Sequence, residues 1–82
     1  MPTVAIPSSL ANRFTGGQSE IEVEASTFRR LLLELERRYP GLGHQVEEGM
    51  AVAVDGVIFQ DAFGLELKAE NEIVLIPKIG AG

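Results

Sequence analysis

The sequence predicts an α+β fold in which one main helix packs on one face of a sheet of four to five strands. One strongly amphipathic segment lies between Thr27 and Tyr39. Segments rich in β-branched residues, some with alternating polarity, lie on both sides of it. At 82 residues the chain is the size of one small domain. We therefore predict a domain over 1–77 and a flexible tail over 78–82.

Composition excludes several function classes. The chain has no cysteine, which excludes disulfides, thiolate metal sites and a cysteine nucleophile. Twelve acidic and seven basic residues give a net charge of −5, which argues against binding to nucleic acid or to anionic membranes. No apolar run approaches the ~20 residues of a membrane span, and Met1–Val4 does not begin a signal peptide. We expect a cytoplasmic protein that is monomeric when unbound.

The first two predicted strands form an antiparallel pair. Thr3–Ile6 is short and β-rich, and Glu20–Glu24 alternates glutamate with Ile21 and Val23, which places the apolar side chains toward a core. The polar connection between the strands contains Gly16-Gly17, a pair that suits a hairpin.

The helix has recognisable ends. Ser26 or Thr27 can cap its first turn through a hydroxyl, and Pro40 ends it. Leu42 and Val46 allow one further short turn after it. One face of the main helix carries the apolar residues Phe28, Leu31, Leu32, Leu35 and Tyr39.

The remaining strands follow the helix. Met50–Val54 and Val57–Phe59 flank Asp55-Gly56, a strong signal for a tight β turn. Asn71 precedes the last strand, Glu72–Pro77, and we expect it to adopt a left-handed backbone conformation.

One helix covers only one face of a sheet, so the other face meets solvent or a partner. The pattern predicts a small, weakly apolar surface there, and such a surface often marks a contact site. We predict a partner-docking face made of Thr3, Ala5, Ala51, Ala53, Ile73 and Leu75.

No catalytic or metal-binding constellation is evident. His44 lacks an orienting partner in its vicinity along the chain. The alternating glutamates Glu20, Glu22 and Glu24 are typical of a solvated strand face, and Thr15–Gln18 lacks the lysine and helix of a phosphate-binding loop. We therefore predict neither catalytic residues nor a tightly bound cofactor.

The C-terminal segment is the remaining candidate site. Ile79-Gly80-Ala81-Gly82 carries little side-chain bulk, so it could pass in extended form into a narrow site on another protein. Its carboxylate would be reactive only after ATP converts it to an acyl-adenylate, from which a sulfur nucleophile can displace AMP. A frayed terminus is the alternative interpretation.

The whole chain resembles the MoaD/ThiS family of ubiquitin-like sulfur carriers. The resemblance rests on Thr27–Leu35, Val52–Gly56 and Asn71–Pro77 followed by a final glycine. Within that family, Val4–Leu10 and Thr15–Gln18 are most similar to the CysO branch.

The resemblance implies a mixed-sheet β-grasp fold and several partners. It implies that an E1-like or MoeB-like enzyme uses ATP to adenylate Gly82 and convert it to a thiocarboxylate, while Ile79, Gly80 and Ala81 thread into the partner. A PLP-dependent cysteine synthase would receive the sulfur; the alternative is a molybdopterin synthase large subunit. The family usually ends in Gly-Gly, whereas this chain has Ala81-Gly82, which leaves open an interaction module that is never activated.

Overall fold

The computed structural model describes residues 1–59 and 64–77. The predicted tail residues 78–82, which include Ile79, Gly80, Ala81 and Gly82, lie outside the described residues. The five strands are β1 (Thr3–Ala5), β2 (Glu20–Glu22), β3 (Met50–Val54), β4 (Val57–Phe59) and β5 (Glu72–Pro77). The helices are the short α1 (Ser8–Leu10), which continues into a π-helical turn (Ala11–Thr15), then α2 (Phe28–Arg38) and α3 (Leu42–Gly49).

The strands form one mixed sheet in the order β2-β1-β5-β3-β4. β5 lies at the centre, parallel to β1 and antiparallel to β3. The outer pairs β1–β2 and β3–β4 are both antiparallel. The predicted α+β class and the strand count are confirmed.

The core lies between the sheet and the two longer helices. Leu31 and Leu35 of α2 are fully buried and pack in one cluster with Val4, Ile73 and Leu75 of the sheet. The predicted apolar helix face is confirmed, although Tyr39 is only partly buried at its end. None of the described helices is long and apolar enough to cross a membrane.

Thr27, rather than Ser26, caps α2. Its backbone is extended and its hydroxyl oxygen accepts a hydrogen bond from the Arg30 amide at 3.1 Å. The end of α2 at Arg38, two residues before Pro40, agrees with the predicted stop. The further turn predicted after it is present but longer than expected, because α3 has eight residues and buries both Leu42 and Val46.

The connection between β1 and β2 is helical rather than a tight hairpin. α1 and the π-helical turn occupy most of it, and Gly16 and Gly17 follow with φ values of 70° and 101°. The Phe14 ring packs on Gly41, where an added Cβ would lie 3.1 Å from it. The glycine pair therefore ends a helical turn, and the connection packs against the start of α3.

The β3–β4 turn is tied to the start of β5. Asp55 and Gly56 have φ values of 49° and 86°, which confirms the predicted tight turn. Asp55 Oδ2 accepts a hydrogen bond from Asn71 Nδ2 at 2.6 Å, and its Oδ1 accepts from the Glu72 amide at 2.8 Å. The expectation of a left-handed Asn71 is wrong, because its side-chain amide organises the turn instead.

Candidate functional site

The face of the sheet that points away from the helices carries both apolar and acidic side chains. We call it the open face. The register places Ala5 beside Val74, Val74 beside Ala53, and Ala53 beside Ile58. Val74 is 42% exposed and Ile58 is 61% exposed. A row of apolar side chains therefore crosses four strands of this face without a helix over it.

Two residues predicted for the docking face lie on the opposite side. Ile73 and Leu75 are 1% and 2% exposed and belong to the core. Their place on the open face is taken by Val74 and Ile76, the alternate residues of β5. Both parities of β5 are apolar, so its own hydrophobic pattern does not distinguish the two faces.

The other four predicted residues lie on the open face. Thr3 and Ala5 are partly exposed. Ala51 and Ala53 retain only 7% and 8% exposure, and the larger Ile76 and Val74 stand opposite them in the register. The two alanines therefore lie low in a shallow apolar surface, and the longer side chains of Val74 and Ile76 project above them.

Carboxylates border this apolar surface. Thr3 pairs with Glu22 on one side and with Glu72 on the other, while Ala5 pairs with Glu20. All three glutamates are exposed, which confirms the predicted solvent-facing glutamates of β2. We call Glu20, Glu22 and Glu72 the acidic border.

The last strand directs the chain toward one rim of the sheet. Pro77, the final described residue of β5, pairs with Met50 at the start of β3. Because β1 runs parallel to β5, the helical connection after β1 lies at the same rim. β5 therefore ends at this rim, next to the apolar part of the open face.

The other polar candidates have structural surroundings. His44 Nε2 lies 3.3 Å from Glu48 Oε2, and both side chains are well exposed. The Thr15 hydroxyl lies within hydrogen-bonding distance of the carbonyl oxygens of Ala11 and Gln18. Among residues 1–59 and 64–77, no cluster of side chains could hold a metal ion.

Two carboxyl groups on the helix side have pKa values that hydrogen bonds lower. A hydrogen bond from the Arg37 side chain lowers the pKa of Glu34. Hydrogen bonds from the backbone amides of Gly41 and His44 lower the pKa of Glu36. Both carboxylates thus form hydrogen bonds within the helical layer and are not part of the open face.

A cavity of about 610 Å³ also opens on the helix side. Leu32 and Leu33 of α2 and Gly43 and His44 of α3 contribute to its walls. This cavity lies across the domain from the open face, so the two surfaces are separate.

Known structures share this fold. Mycobacterium tuberculosis CysO, described as an antigen, aligns with a TM-score of 0.84 and 19% identity over 96% of this chain and 100% of that one. A chain of the Amycolatopsis orientalis BexX/CysO complex aligns with a TM-score of 0.83 and 24% identity over the full length of both chains. These similarities show the ubiquitin-like β-grasp fold, as the sequence predicts.

No curated protein sequence matches the chain. The model of the ThiS family matches residues 7–82. That match includes β2 to β5 and α1 to α3, and it continues past the end of β5. The chain is therefore a member of the ThiS family.

Proposed function

We propose that this protein is a sulfur carrier. In this proposal the carboxylate of Gly82 is adenylated by an E1-like partner and converted to a thiocarboxylate. Ile79, Gly80 and Ala81 then present that group inside the partner's active site. The sulfur is delivered for the biosynthesis of cysteine or a related metabolite.

The family match through Gly82 carries the proposal. It includes the segment after Pro77, where β5 reaches the rim of the sheet. Because β5 is the central strand, the scaffold holds the start of this segment firmly. That arrangement supports a tail that extends away from a fixed base.

The proposed chemistry needs ATP and a sulfur nucleophile but no group from the scaffold. A carboxylate oxygen of Gly82 bonds to the α-phosphorus of ATP, and pyrophosphate leaves. Hydrosulfide then attacks the acyl carbon, the bond to the AMP oxygen breaks, and AMP leaves with the electron pair. The net change at the C-terminus is the replacement of one oxygen by sulfur. ATP binds to the partner, so the carrier needs no cofactor of its own.

The open face is the proposed contact for the adenylating enzyme. Its apolar row from Ala5 to Ile58 crosses the middle of the sheet, and Ile76 and Ala51 continue the apolar surface toward the rim where β5 ends. One structural neighbour comes from a complex of CysO with BexX, which supports a partner protein for this fold. The proposed sulfur acceptor is a PLP-dependent cysteine synthase.

Two alternatives are tested by the same approach. The first is the small subunit of molybdopterin synthase, in which the tail would enter a catalytic large subunit. The second is an interaction module that is never activated. Ala81 at the usual position of a glycine favours this module.

The decisive experiment is intact mass spectrometry. We expect the protein, incubated with an E1-like enzyme from the same source, ATP and sulfide, to gain the mass difference between sulfur and oxygen. A variant lacking Gly82 should show the same thermal unfolding but no gain. No gain in wild type, with an enzyme that activates another carrier, would contradict the proposal and favour the module. Transfer to a cysteine synthase or to a molybdopterin synthase large subunit then separates the two carrier roles.

A further inference from the structure

We propose that the acidic border selects and orients the adenylating partner, whose docking surface must be apolar at its centre and cationic along one side. This inference rests on the proposed function and adds the chemistry of the partner. It comes from the distribution of charge over the described residues.

The three carboxylates occupy defined places around the apolar row. Glu22 and Glu72 flank Thr3 at the end of the sheet away from Pro77. Glu20 flanks Ala5 on the β2 side. The border therefore follows two sides of the apolar surface. None of its three glutamates lies at the rim where β5 ends.

The carboxylates of the border are not neutralised within the described chain. No hydrogen bond or ion pair involves the side chains of Glu20, Glu22 or Glu72 in the ranges 1–59 and 64–77. Arg38 comes close to β2, but its guanidinium donates to the backbone oxygen of Glu22 at 2.8 Å. The border is thus available to cations on another molecule.

The helix side of the domain carries charges of both signs. α2 carries Arg29, Arg30, Arg37 and Arg38, four of the seven basic residues of the chain. α2 packs on the face of the sheet opposite the border. Glu34 and Glu36 of α2 and Glu47 and Glu48 of α3 balance these arginines, so a partner with a cationic docking surface is attracted to the open face rather than to the helices.

The asymmetry also fixes the direction of docking. When cations of the partner meet Glu20 and Glu22, the apolar row meets the apolar centre. The rim at Pro77 then points away from the border, toward the place where an adenylation site must lie. A partner turned by half a revolution would place its cations over Ile58 and Ile76, where nothing compensates their desolvation.

Direct binding measurements test this inference. The Glu20→Lys/Glu22→Lys variant is compared with the control Glu47→Lys/Glu48→Lys, which makes the same charge change on exposed positions of α3. The probe is the purified E1-like enzyme from the same source, at low and high salt. We expect the border variant to weaken binding by about tenfold or more at low salt and to reduce the salt dependence. The control should stay near wild type.

A neutral variant and the mass assay keep the outcomes distinct. Glu20→Gln/Glu22→Gln should give an intermediate loss, with unchanged thermal unfolding. Equal effects of the border and α3 variants, or an unchanged salt dependence, would overturn the inference. Charge-dependent binding without any gain of sulfur would overturn the proposed function and leave the border intact as a docking element. No binding by wild type would overturn both.

Discussion

Glu36 of α2 accepts a hydrogen bond from the backbone amide of Gly41, and the two atoms are 2.7 Å apart. The other oxygen of this carboxylate accepts from the His44 amide at 3.1 Å. The side chain of one helix thereby caps the first turn of the next, since Gly41 itself has no side chain to do so. The α2–α3 corner depends on this carboxylate.

Glu36→Gln should therefore destabilise the protein in a pH-dependent way. The amide hydrogen bonds lower the pKa of Glu36 from its ordinary value of 4.5. A lowered pKa means that the ionised group stabilises the fold above pH 4.5 and loses this contribution as the pH falls through the lowered value. We expect the thermal midpoint of the variant to lie below wild type near neutral pH and to approach it in acid. Glu47→Gln is the control, and an equal gap at all pH values would contradict the argument.

Gly43→Ala tests how closely the two helices pack. A Cβ at Gly43 would lie 2.7 Å from the Leu32 carbonyl oxygen and 3.0 Å from Cβ of Glu36. Because a backbone atom must move, we expect a loss of about 1–3 kcal/mol in the free energy of unfolding. Gly49→Ala, with open space around the new methyl, should be neutral or slightly stabilising. Urea unfolding measures both, and equal effects would contradict the predicted clash.

Sequence patterns predict an element correctly where the residues of that element alone determine its geometry. The amphipathic spacing identified α2, and Asp55-Gly56 identified the β3–β4 turn. The length of α3 is not predictable in this way, because the segment contains Gly43 and Gly49 and is stabilised by Glu36 from another helix. A contact of that kind has no signature in the segment itself.

The docking face was only partly predictable, for a related reason. The sequence pattern predicts Ile73 and Leu75 on it, but they are buried under the helices. Glu72 indicates which residues of β5 face solvent, because it shares its side of the strand with Val74 and Ile76. A charged residue at the start of the strand belongs on the solvent side, so its parity identifies the open face.

Val74→Asp should weaken contact with the proposed adenylating partner. Val74 lies at the centre of the open face and is 42% exposed, so the aspartate remains solvated in the free protein. In a docked complex it would be desolvated without a partner, and we expect KM for the carrier to rise about tenfold or more. Val57→Asp is the control, because Val57 is 57% exposed but pairs with Val54 on the core side of the sheet. A similar change in both variants would argue against docking through the open face.

Ala81→Gly should leave activation of the tail equal or make it faster. If the docked tail is extended at this position, the methyl group costs little unless it meets the wall of the channel. If the channel requires a positive φ, alanine costs about 1–2 kcal/mol, which corresponds to roughly a tenfold slower reaction at about 1.4 kcal/mol. Single-turnover adenylation, followed by pyrophosphate release, measures the change. Wild-type and variant proteins should unfold at the same temperature, since the substitution lies beyond the last residue of β5. A slower variant would show that the partner uses the methyl group for recognition, and the chain would then be adapted to an enzyme that distinguishes it from Gly-Gly carriers.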